Sequence, residues 1–520
     1  MSETVTKTQV LIVGAGPTGL ALAVQLIRYG IDFMIVDQKE DTTPYSKAIG
    51  VQARTLEIYQ QIDRADALVQ LGAIVKGVRL VEGGEQKVEV PLSTLGQGMS
   101  AYPFVLIVEQ GKHERVLYKY IQAHGREVRW QTTLAEFSQN DDGVTGILVN
   151  GDGEREVVQA QYLAGCDGAK SHIRKHLGLT FAGSTFQRLA YVADVQLKWQ
   201  FQHDMLTTCV GKHSATAFFP MVGADHYRTV GLFPEHTELR EGEVLYEEIE
   251  RQIVEDTKLQ LDIYKVNWFS TYKVHSRRVN KFSEGRCFLA GDAAHIHSPI
   301  GAQGMNTGIQ DGYNLAWKLA LVLRGKASSR LLDTYNEERI EIAKRLLETT
   351  DRMFDLVVNP AWWVSFVRRY VFPRVAGLVV SMDSVNQFIF PLISQIGITY
   401  RESSLSLDTG EDFEVKAGDR MPYLLLDGTD VYDSLKEPSF HLLSFSGEPA
   451  GTELRREISE QFPNLVDYHE FPFSRNVSEH FNSEKPFHIL LRPDNYLAFV
   501  SAKDPIAQLR DYFARIIEQR

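Results

Sequence analysis

Glycines with the spacing G-x-G-x-x-G stand between a short apolar run and a stretch with helical periodicity. The candidate cofactor contacts in this motif are Gly14, Gly16, Pro17, Thr18 and Gly19. Glycine permits a tight turn and lets backbone N–H groups approach a pyrophosphate at the start of a helix. Asp37, with Gln38 beside it, ends the next apolar run, where a carboxylate accepts hydrogen bonds from ribose hydroxyls. The pattern predicts a dinucleotide site, but it does not distinguish FAD from NAD.

A second candidate loop lies where the predicted strand 162–165 opens into a helix. Asp167 follows this strand and is placed to accept hydrogen bonds from backbone donors, while Lys170 and Arg174 add positive charge. The functional interpretation is contact with a phosphate-bearing cofactor. The alternative is a capped helix with solvated basic residues, and the sequence leaves both open.

A third loop, residues 291–306, is rich in glycine and follows the predicted strand Arg286–Ala290. A long helix begins near Gly304, and the N–H groups at its start could stabilise negative charge on a ligand. His295 and His297 lie two positions apart in the loop, without a carboxylate or thiolate at metal-ligand spacing. We therefore predict no metal site.

The elements around these loops predict an α/β fold. Apolar runs at Gln9–Val13 and Phe33–Asp37 flank the helix Pro17–Tyr29, which makes a Rossmann-like βαβ unit. Strand patterns dominate from Phe181 to Phe282, and a small α/β segment follows about Glu411. The predicted segments are 1–180 (first part of the nucleotide-binding domain), 181–282 (β-rich substrate domain), 283–410 (return to the nucleotide-binding domain, with helices) and 411–520 (C-terminal domain).

Composition limits the possible partners and compartments. Of the 520 residues, 44% are hydrophobic and 23% charged, which is ordinary for a globular protein. The formal net charge of −12 disfavours nucleic acid as the partner, since phosphate binding needs clustered Lys and Arg. Cys166, Cys209 and Cys287 form no C-x-x-C pair, which favours a reducing cytoplasm. The polar N-terminus and the charges within the apolar stretch 362–380 predict neither a signal peptide nor a membrane span.

The three loops, in this order and at these separations, resemble those of the flavoprotein aromatic hydroxylases of the para-hydroxybenzoate hydroxylase type. The resemblance covers nearly the whole chain and is strongest to the phenol and pentachlorophenol hydroxylase branch, which has an extra C-terminal domain. It implies an FAD-binding domain interleaved with a β-sheet substrate domain, and a C-terminal thioredoxin-like domain that lacks redox cysteines because no cysteine follows Cys287. The implied reaction is hydroxylation of an aromatic, phenolic substrate by dioxygen and NADPH or NADH, through a C4a-hydroperoxyflavin. A homodimer is a possible assembly.

The resemblance also implies which residues contact FAD or the passing NAD(P)H. Besides the first motif, they are Lys47, Gln52, Arg54, Gln110, Asp167, Lys170, Arg174, Asp292, Pro299, Gly301, Gly304, Met305 and Asn306. Lys47 stands where many relatives have arginine, so Gln52 and Arg54 carry more of this expectation. Lys170 and Arg174 are the candidates for the phosphates of NAD(P)H.

Two residues are candidates for catalysis. Pro299 matches the family's proline beside the active face of the flavin, where a carbonyl can orient the hydroxyl of a phenol, although a rigid loop residue is an equal alternative. His297 could relay the phenol proton, against a purely structural role. On the strands, the candidate pocket walls are Phe218, Phe219, Met221 and Phe233, with an ordinary place in the sheet core as the alternative.

Other flavoprotein classes fit the sequence less well. A second G-x-G-x-x-G would mark disulfide reductases and Baeyer–Villiger-type enzymes, and a W-x-W-x-I-P segment would mark halogenases, but neither occurs. The Trp362–Trp363 pair is predicted to serve core or dimer packing. Two alternatives stay open: a monooxygenase for polycyclic natural products or antibiotics, and a flavin-bearing protein that sequesters a ligand without turnover.

Overall fold

The computed structural model describes residues 5–44, 48–92, 96–211, 215–233, 245–298, 302–358, 390–447 and 452–517. The helices are α1 (Pro17–Arg28), α2 (Ala53–Gln60), α3 (Ala65–Gln70), α4 (Gln110–Ala123), α5 (His172–His176), α6 (Tyr246–Thr257), α7 (Gly304–Leu323), α8 (Asp333–Val358), α9 (Thr452–Gln461), α10 (Arg475–Phe481) and α11 (Pro505–Ile517). The strands are β1 (Val5–Val13), β2 (Phe33–Val36), β3 (Gly50–Val51), β4 (Ala73–Val75), β5 (Gly77–Glu82), β6 (Glu85–Pro91), β7 (Val105–Ile107), β8 (Val128–Arg129), β9 (Thr133–Gln139), β10 (Val144–Val149), β11 (Arg155–Gly165), β12 (Phe181–Lys198), β13 (Met205–Val210), β14 (Ala215–Pro220), β15 (His226–Leu232), β16 (Asp262–Val279), β17 (Ser283–Glu284), β18 (Cys287–Leu289), β19 (His295–Ile296), β20 (Leu425–Leu426), β21 (Thr429–Asp430), β22 (Phe440–Ser446), β23 (Val466–Pro472), β24 (Phe487–Leu491) and β25 (Leu497–Ser501).

The centre of the first sheet is parallel, as the βαβ pattern predicts, while β9, β10 and β17 pair antiparallel at its margins. Strand β1 pairs in parallel with β2 on one side and β11 on the other, and β11 pairs in parallel with β18. Val10, Leu11 and Ile12 are fully buried because both faces of the sheet are covered, which explains their continuous apolar run. The carboxyl ends of β1, β11 and β18 share one edge, so the loops that follow these strands lie together there.

The second sheet has the order β19-β16-β12-β15-β14-β13-β5-β6. It contains the strands expected within 181–282, and it also takes in the hairpin 77–91, which the sequence analysis placed with the first segment. The hairpin reaches this sheet by parallel pairing of β5 with β13, a long-range contact that local alternation does not reveal. Helix α6 is a further difference, since only strands were expected in this segment.

The two faces of this sheet have different neighbours. Phe218 and Phe233 are buried in the core cluster that includes Ile249 of α6. Phe219 and Met221 lie on the opposite face and pack with a cluster that includes Ile49 of the first domain. Side chains along a strand alternate between faces, so the four candidate pocket walls separate into two core residues and two residues that face the nucleotide-binding domain.

The C-terminal domain is built on a four-stranded mixed sheet with the order β23-β22-β24-β25. It joins the nucleotide-binding domain through charged side chains that are fully buried. Glu338 of α8 accepts hydrogen bonds from Arg492 (2.5 Å) and from Lys318 of α7 (2.7 Å). Trp317 donates to Asp494 over 3.1 Å. No helix in the described ranges combines the length and the apolar character needed to cross a membrane.

Candidate functional site

The turn between β1 and α1 depends on glycine at two positions. Gly14 has φ of +106°, and a Cβ there would collide with the carbonyl oxygen of Cys166 in the next loop. A Cβ on Gly19 would collide with the Gly14 carbonyl oxygen, so glycine allows α1 to start close to the strand. Burial raises the pKa of the Cys166 thiol, which keeps it neutral in this contact. These contacts set the turn before any ligand is considered.

Gly16 differs from both because a Cβ there would meet no atom within 4 Å. Its backbone therefore faces open space at the N-terminus of α1, where Pro17 occupies the first turn. This is the space that a pyrophosphate would fill against helix N–H groups. Thr18 points elsewhere, because its side chain packs on Gly291 and Gly308 of the third loop and α7.

The Asp37 carboxylate stabilises the turn between β1 and α1 through hydrogen bonds to the backbone. It accepts hydrogen bonds from the backbone N–H of Ala15 over 2.6 Å and of Lys39 over 2.8 Å. The side chain is 8% exposed, so one edge is still within reach of a ribose hydroxyl. Gln38 is exposed beside it. The geometry is compatible with the dinucleotide contact predicted for Asp37.

The second loop places Asp167 at the start of α5. Its carboxylate accepts from the N–H groups of His172 (2.7 Å) and Ile173 (3.2 Å). Lys170 is exposed on the same loop, where it could reach a phosphate from solvent. The carboxylate therefore caps the short helix.

Arg174, a predicted phosphate contact, binds backbone carbonyls and packs over an aromatic ring. Its guanidinium is buried over the ring of Phe181 at 3.9 Å, and it donates to the carbonyls of Ala293 (2.8 Å) and Ala169 (2.9 Å). With its donors held by backbone, the side chain joins the second loop to the third rather than facing NAD(P)H.

The third loop is anchored by Asp311 of α7, which sequence reasoning did not single out. Its carboxylate accepts from Gly291 N–H (2.8 Å), His295 Nε2 (2.8 Å) and Arg339 Nε (2.6 Å). Burial alone would raise the pKa of Asp311, but Arg339 and His295 lower it below its ordinary value. Asp292, the predicted FAD contact, is exposed next to this anchor. The fixed Gly291 turn thus presents Asp292 at the edge of the sheet.

Asn306 connects the start of α7 with the loop before α2. Its side-chain amide donates to the carbonyls of Gly50 (2.9 Å) and Ala302 (2.8 Å). Its oxygen accepts from Gln52 N–H (3.0 Å) and the Thr55 hydroxyl (2.7 Å). These four bonds bring two predicted cofactor residues, Gln52 and Asn306, into one unit. The predicted contacts in the first turn of α7 are Gly304 and Met305, and both are half-buried.

His297 lies beside this helix start as a neutral acceptor. Its Nδ1 lies 2.7 Å from the Ser298 carbonyl, which can only accept, so Nδ1 carries the proton. Nε2 makes no hydrogen bond to the described residues and is 3.0 Å from the position of a Cβ on Gly304. Burial lowers the pKa of His297 to about 4. The unprotonated Nε2 therefore directs its lone pair toward the first turn of α7.

Gln110 and Arg54, both predicted FAD contacts, have different hydrogen-bond partners. Gln110 begins α4, accepts from Ala48 N–H (3.2 Å) and donates to Glu114 (2.9 Å). Arg54 is 1% exposed, pairs with Glu57 at 3.1 Å, and donates to the Asp494 carbonyl at 2.8 Å. Arg54 therefore links α2 to the C-terminal domain. The predicted contacts that lie outside the described residues are Lys47, Pro299 and Gly301.

Opposite these loops, four side chains form a row across the second sheet, which we call the sheet row. Trp268, Asp194, Arg228 and Phe219 are register partners on β16, β12, β15 and β14. Paired residues in an antiparallel sheet share a face, and Phe219 packs toward the nucleotide-binding domain, so the whole row has this orientation. Sequence reasoning found Phe219 only, because the other three are brought together by pairing of distant strands.

The middle of the sheet row is a hydrogen-bonded ionic cluster. Asp194 accepts from His226 (2.6 Å), Asn267 (2.7 Å) and Arg228 (3.0 Å), and Arg228 lies 4.8 Å from the centre of the Trp268 ring. Burial would raise the pKa of Asp194, but these donors lower it to about 2. The hydrogen bond to Asp194 raises the pKa of His226. The cluster is thus a fixed charged surface within an otherwise aromatic wall.

A cavity of about 220 Å³ separates the cluster from the start of α4. The residues that line it are Pro44, Glu109, Gly111, Asp194, His226, Arg228, Asn267 and Trp268. A larger cavity of about 600 Å³ lies at the opposite end of the first sheet, next to Lys7 and Asp32. The three loops line neither of these two cavities, but the smaller one lies between the start of α4 and the ionic cluster of the second sheet, so it is the candidate substrate cavity.

A Rossmann-like sheet with three such loops, facing a second sheet across an interdomain cavity, defines a two-domain flavoprotein. The chain belongs to the FAD binding domain family, whose model matches residues 7–350. The glycines, the helix starts and Asp37 fit this cofactor.

Proteins with related activities align with nearly the whole chain. A flavin-dependent monooxygenase from Mycobacteroides abscessus is 32% identical over 98% of this chain and 100% of its own length. The 6-methylpretetramide 4-monooxygenase of Streptomyces rimosus is 34% identical over 78% of this chain and 72% of its own. Among solved structures, an aromatic hydroxylase from angucycline biosynthesis is 27% identical, covers 97% of this chain and 99% of its own, and has a TM-score of 0.78. The predicted class is confirmed: the chain is an FAD-dependent aromatic monooxygenase with NAD(P)H as electron donor and a small molecule and dioxygen as substrates.

Proposed function

We propose that the substrate is a polycyclic aromatic compound with a phenolic hydroxyl, which the enzyme hydroxylates on the ring system. The observation that carries this proposal is the sheet row. It crosses four strands, which corresponds to about 14 Å at the usual strand spacing. Trp268 and Phe219 place aromatic rings at its two ends, and the Asp194–Arg228 ion pair lies between them. A single substituted ring would occupy only part of this wall.

The similar proteins support the same substrate class. The Streptomyces rimosus relative is named for 6-methylpretetramide, and the solved hydroxylase for angucycline biosynthesis, and both names refer to polycyclic aromatic compounds. A monocyclic phenol is the second candidate, and the experiment below distinguishes the two.

In this proposal, the residues of the three loops each have a physical role. Bound FAD supplies the redox chemistry, taking reducing equivalents from NAD(P)H and activating dioxygen for transfer of one oxygen atom. Gly16 and the N–H groups of α1 bind the pyrophosphate, and Asp37 binds the ribose. The first turn of α7, Gly304 to Asn306, stabilises negative charge at the pyrimidine edge of the flavin. Lys170 contacts a phosphate of NAD(P)H at the exposed edge of the site.

His297 supplies the proton transfer in this scheme. Its Nε2 lone pair faces the start of α7, and the low pKa keeps the ring neutral, so Nε2 can accept a hydrogen bond from the phenol hydroxyl. As a weak base it takes the proton only when the hydroxyl becomes acidic during hydroxylation. Removal of that proton makes the aromatic ring more electron-rich at the moment of hydroxylation.

The test is aerobic oxidation of NADPH and NADH by the flavin-loaded enzyme with monocyclic phenols and with polycyclic phenols. Products are analysed by mass spectrometry under ¹⁸O-labelled dioxygen. We expect oxidation to be stimulated by polycyclic phenols, with one labelled oxygen atom in the product. Stimulation by monocyclic phenols alone would assign the smaller substrate class, and binding without an oxygenated product would indicate a sequestering protein.

A matched pair of variants tests the sheet row. Trp268→Leu removes one aromatic end, and we expect KM for a polycyclic substrate to rise at least 10-fold while KM for a small phenol changes little. Tyr264→Ala is the control, because Tyr264 lies on the same strand and is 50% exposed. Equal effects of both variants would contradict the proposed substrate position.

Compartment and assembly are also proposals. All three cysteines are free thiols, which suits the reducing cytoplasm. Gel filtration with light scattering tests the proposed homodimer. The Trp362–Trp363 pair, predicted to serve core or dimer packing, lies outside the described residues.

A further inference from the structure

Three potential metal ligands meet on one face of the C-terminal sheet, away from the loops of the nucleotide-binding domain. His441 of β22 is the register partner of Asp467 on the parallel strand β23, and His469 follows two positions later on β23, so it lies on the same face. The two strands are far apart in sequence, so spacing alone gave no signal, and we predicted no metal site.

The three ligand atoms form a small triangle. His441 Nδ1 and His469 Nε2 are 3.1 Å apart, His469 Nε2 and Asp467 Oδ2 are 3.1 Å apart, and His441 Nδ1 and Asp467 Oδ2 are 3.7 Å apart. In tetrahedral zinc sites, bonds of about 2.0–2.1 Å separate neighbouring ligand atoms by roughly 3.3 Å. The triangle therefore matches one face of a tetrahedron around a zinc ion.

A carbonyl oxygen fixes the tautomer that metal binding needs. His441 Nε2 lies 3.0 Å from the Glu437 carbonyl, which only accepts hydrogen bonds. Nε2 therefore carries the proton, and in the neutral ring Nδ1 directs its lone pair into the triangle. Ligating histidines in metal sites are commonly oriented by such a bond from their other ring nitrogen.

The three ligands differ in exposure, so the site has a buried side and a side that is open to solvent. His441 is 0% exposed, whereas the side chains of His469 and Asp467 are 17% and 40% exposed. An ion could enter from the solvent side and displace the proton that otherwise separates the two ring nitrogens. Two neutral imidazoles and one carboxylate favour zinc over magnesium or calcium, which prefer oxygen ligands.

We propose that His441, Asp467 and His469 bind a zinc ion that joins strand β23, at the edge of the sheet, to β22. The ion has a structural role in the C-terminal domain, because the three ligands are separate from the flavin loops and from the interdomain cavity. The fourth position is open to water.

The test uses the full-length, flavin-loaded enzyme without an affinity tag, treated with a chelator and then titrated calorimetrically with zinc chloride. We expect about one zinc ion per chain by mass spectrometry after gel filtration, a Tm that rises with zinc concentration, and no competition from magnesium. A weak surface site would bind zinc with a dissociation constant on the order of 100 μM. If the wild-type enzyme binds no zinc at that concentration, the proposal is overturned.

Matched variants locate the site. His469→Ala should weaken zinc binding at least 100-fold and leave substrate-stimulated NADPH oxidation unchanged. His480→Ala is the control, since His480 is a partly exposed histidine on α10 outside the triangle, and it should bind zinc like the wild type. Zinc binding that is equal in His469→Ala and the wild type would place the ion elsewhere and contradict the assignment.

Discussion

Gly14 and Gly16 are two positions apart, but they should respond differently to the same change. In Gly14→Ala the new methyl group would collide with the Cys166 carbonyl, and the backbone would have to keep a φ of +106°. We therefore expect a lower Tm and loss of FAD binding. In Gly16→Ala the methyl group would enter the open space proposed for the pyrophosphate. We expect FAD affinity to fall at least 10-fold while the Tm of the apoprotein stays within about 2 °C of wild type. Flavin fluorescence titration and thermal unfolding measure the two effects.

Equal FAD affinity in Gly16→Ala and the wild type would show that the cofactor does not approach this turn. The α1 helix of both variants can be checked by circular dichroism. The pair thus separates a glycine that the fold needs from a glycine that the ligand needs.

His297 gives a prediction about pH. If its neutral imidazole accepts the phenol proton, His297→Asn should lower kcat for a phenolic substrate by about 10²-fold near neutral pH. The loss should shrink as the pH rises above the pKa of the substrate phenol, because the substrate then arrives already ionised. Stopped-flow hydroxylation rates across pH measure this rescue, and a loss that is constant with pH would indicate a purely structural role.

Burial of His297 also affects stability, with a sign that follows from its low pKa. The folded ring titrates at about 4, below the ordinary value of 6.5, so the unfolded state binds more protons between these values. We expect unfolding to become easier as the pH falls from about 6.5 toward 4, and this part of the acid sensitivity to disappear in His297→Asn. Thermal unfolding over this pH range checks the expectation.

At the scale of residues, the sequence predicted backbone positions better than charged side chains. Gly14 and Gly19 have the close contacts that their motif implies, because those contacts are local. Arg174 and Arg54 were expected at the cofactor, but their guanidinium groups donate to carbonyls of other loops and domains. A long side chain can reach several partners, and which one it meets is decided by tertiary structure.

The third loop and α7 act as one element, which a second matched pair of variants can test. Asp311→Asn leaves Arg339 buried without its carboxylate, and breaking a buried ion pair costs about 3–5 kcal/mol. Asp292→Asn, on the exposed turn that Asp311 holds, should lower FAD affinity with little change in the free energy of unfolding. Denaturant unfolding and FAD titration distinguish the anchor from the contact.

Asp311 also makes stability depend on pH, but its stabilising form is the charged carboxylate, whereas that of His297 is the neutral ring. The folded-state pKa of Asp311 is held below its ordinary value, so its stabilising contribution is present above the unfolded-state value, near 4, and is lost as the pH falls further. Asp311→Asn should remove this part of the acid transition. An unchanged acid transition would mean that Asp311 is not the ionised anchor of the loop.

At the scale of elements, the sequence predicted the first βαβ unit because its periodicity is clear. Helix α1 begins at Pro17, as predicted, and ends at Arg28, one residue before the predicted end. The placement of the hairpin 77–91 in the second sheet was missed, since it depends on parallel pairing with β13, and helix α6 was missed within a segment that otherwise reads as strands. Pairing of distant segments leaves little trace in local patterns.

At the scale of the whole molecule, buried ion pairs join the C-terminal domain to the nucleotide-binding domain. Arg492 bonds to Glu338 and Asp494, and all three are at most 3% exposed. Arg492→Met would leave two carboxylates buried without their partner, so we expect a loss of several kcal/mol in the free energy of unfolding. FAD affinity should fall as well, because Arg54 beside the Gln52 loop donates to the Asp494 carbonyl.

Differential scanning calorimetry of the flavin-loaded enzyme measures this effect. Arg510→Met is the control, since Arg510 is largely exposed on α11 and pairs only at the surface. The wild type should unfold the two domains in one transition. Separate transitions in the wild type, or equal Tm in both variants, would show that the C-terminal domain is independent of the flavin domain.

The interfaces between the sheets were not predictable from the sequence. The sequence indicates which segments return to the first sheet, whereas the sheet row arises only when β16, β12, β15 and β14 align. Its central charges, Asp194 and Arg228, lie far apart in the chain, and each alone resembles an ordinary surface residue. Function in this protein therefore depends most on the features that local patterns show least.

The alternation of side chains on β14 has an evolutionary consequence. Phe218 supports the core beneath α6, while Phe219, the next residue, packs on the opposite face toward the nucleotide-binding domain. Position 219 can therefore change under selection for new chemistry while position 218 preserves the core. The buried Asp194–Arg228 pair is different, because loss of either partner would leave a buried charge and require a compensating mutation.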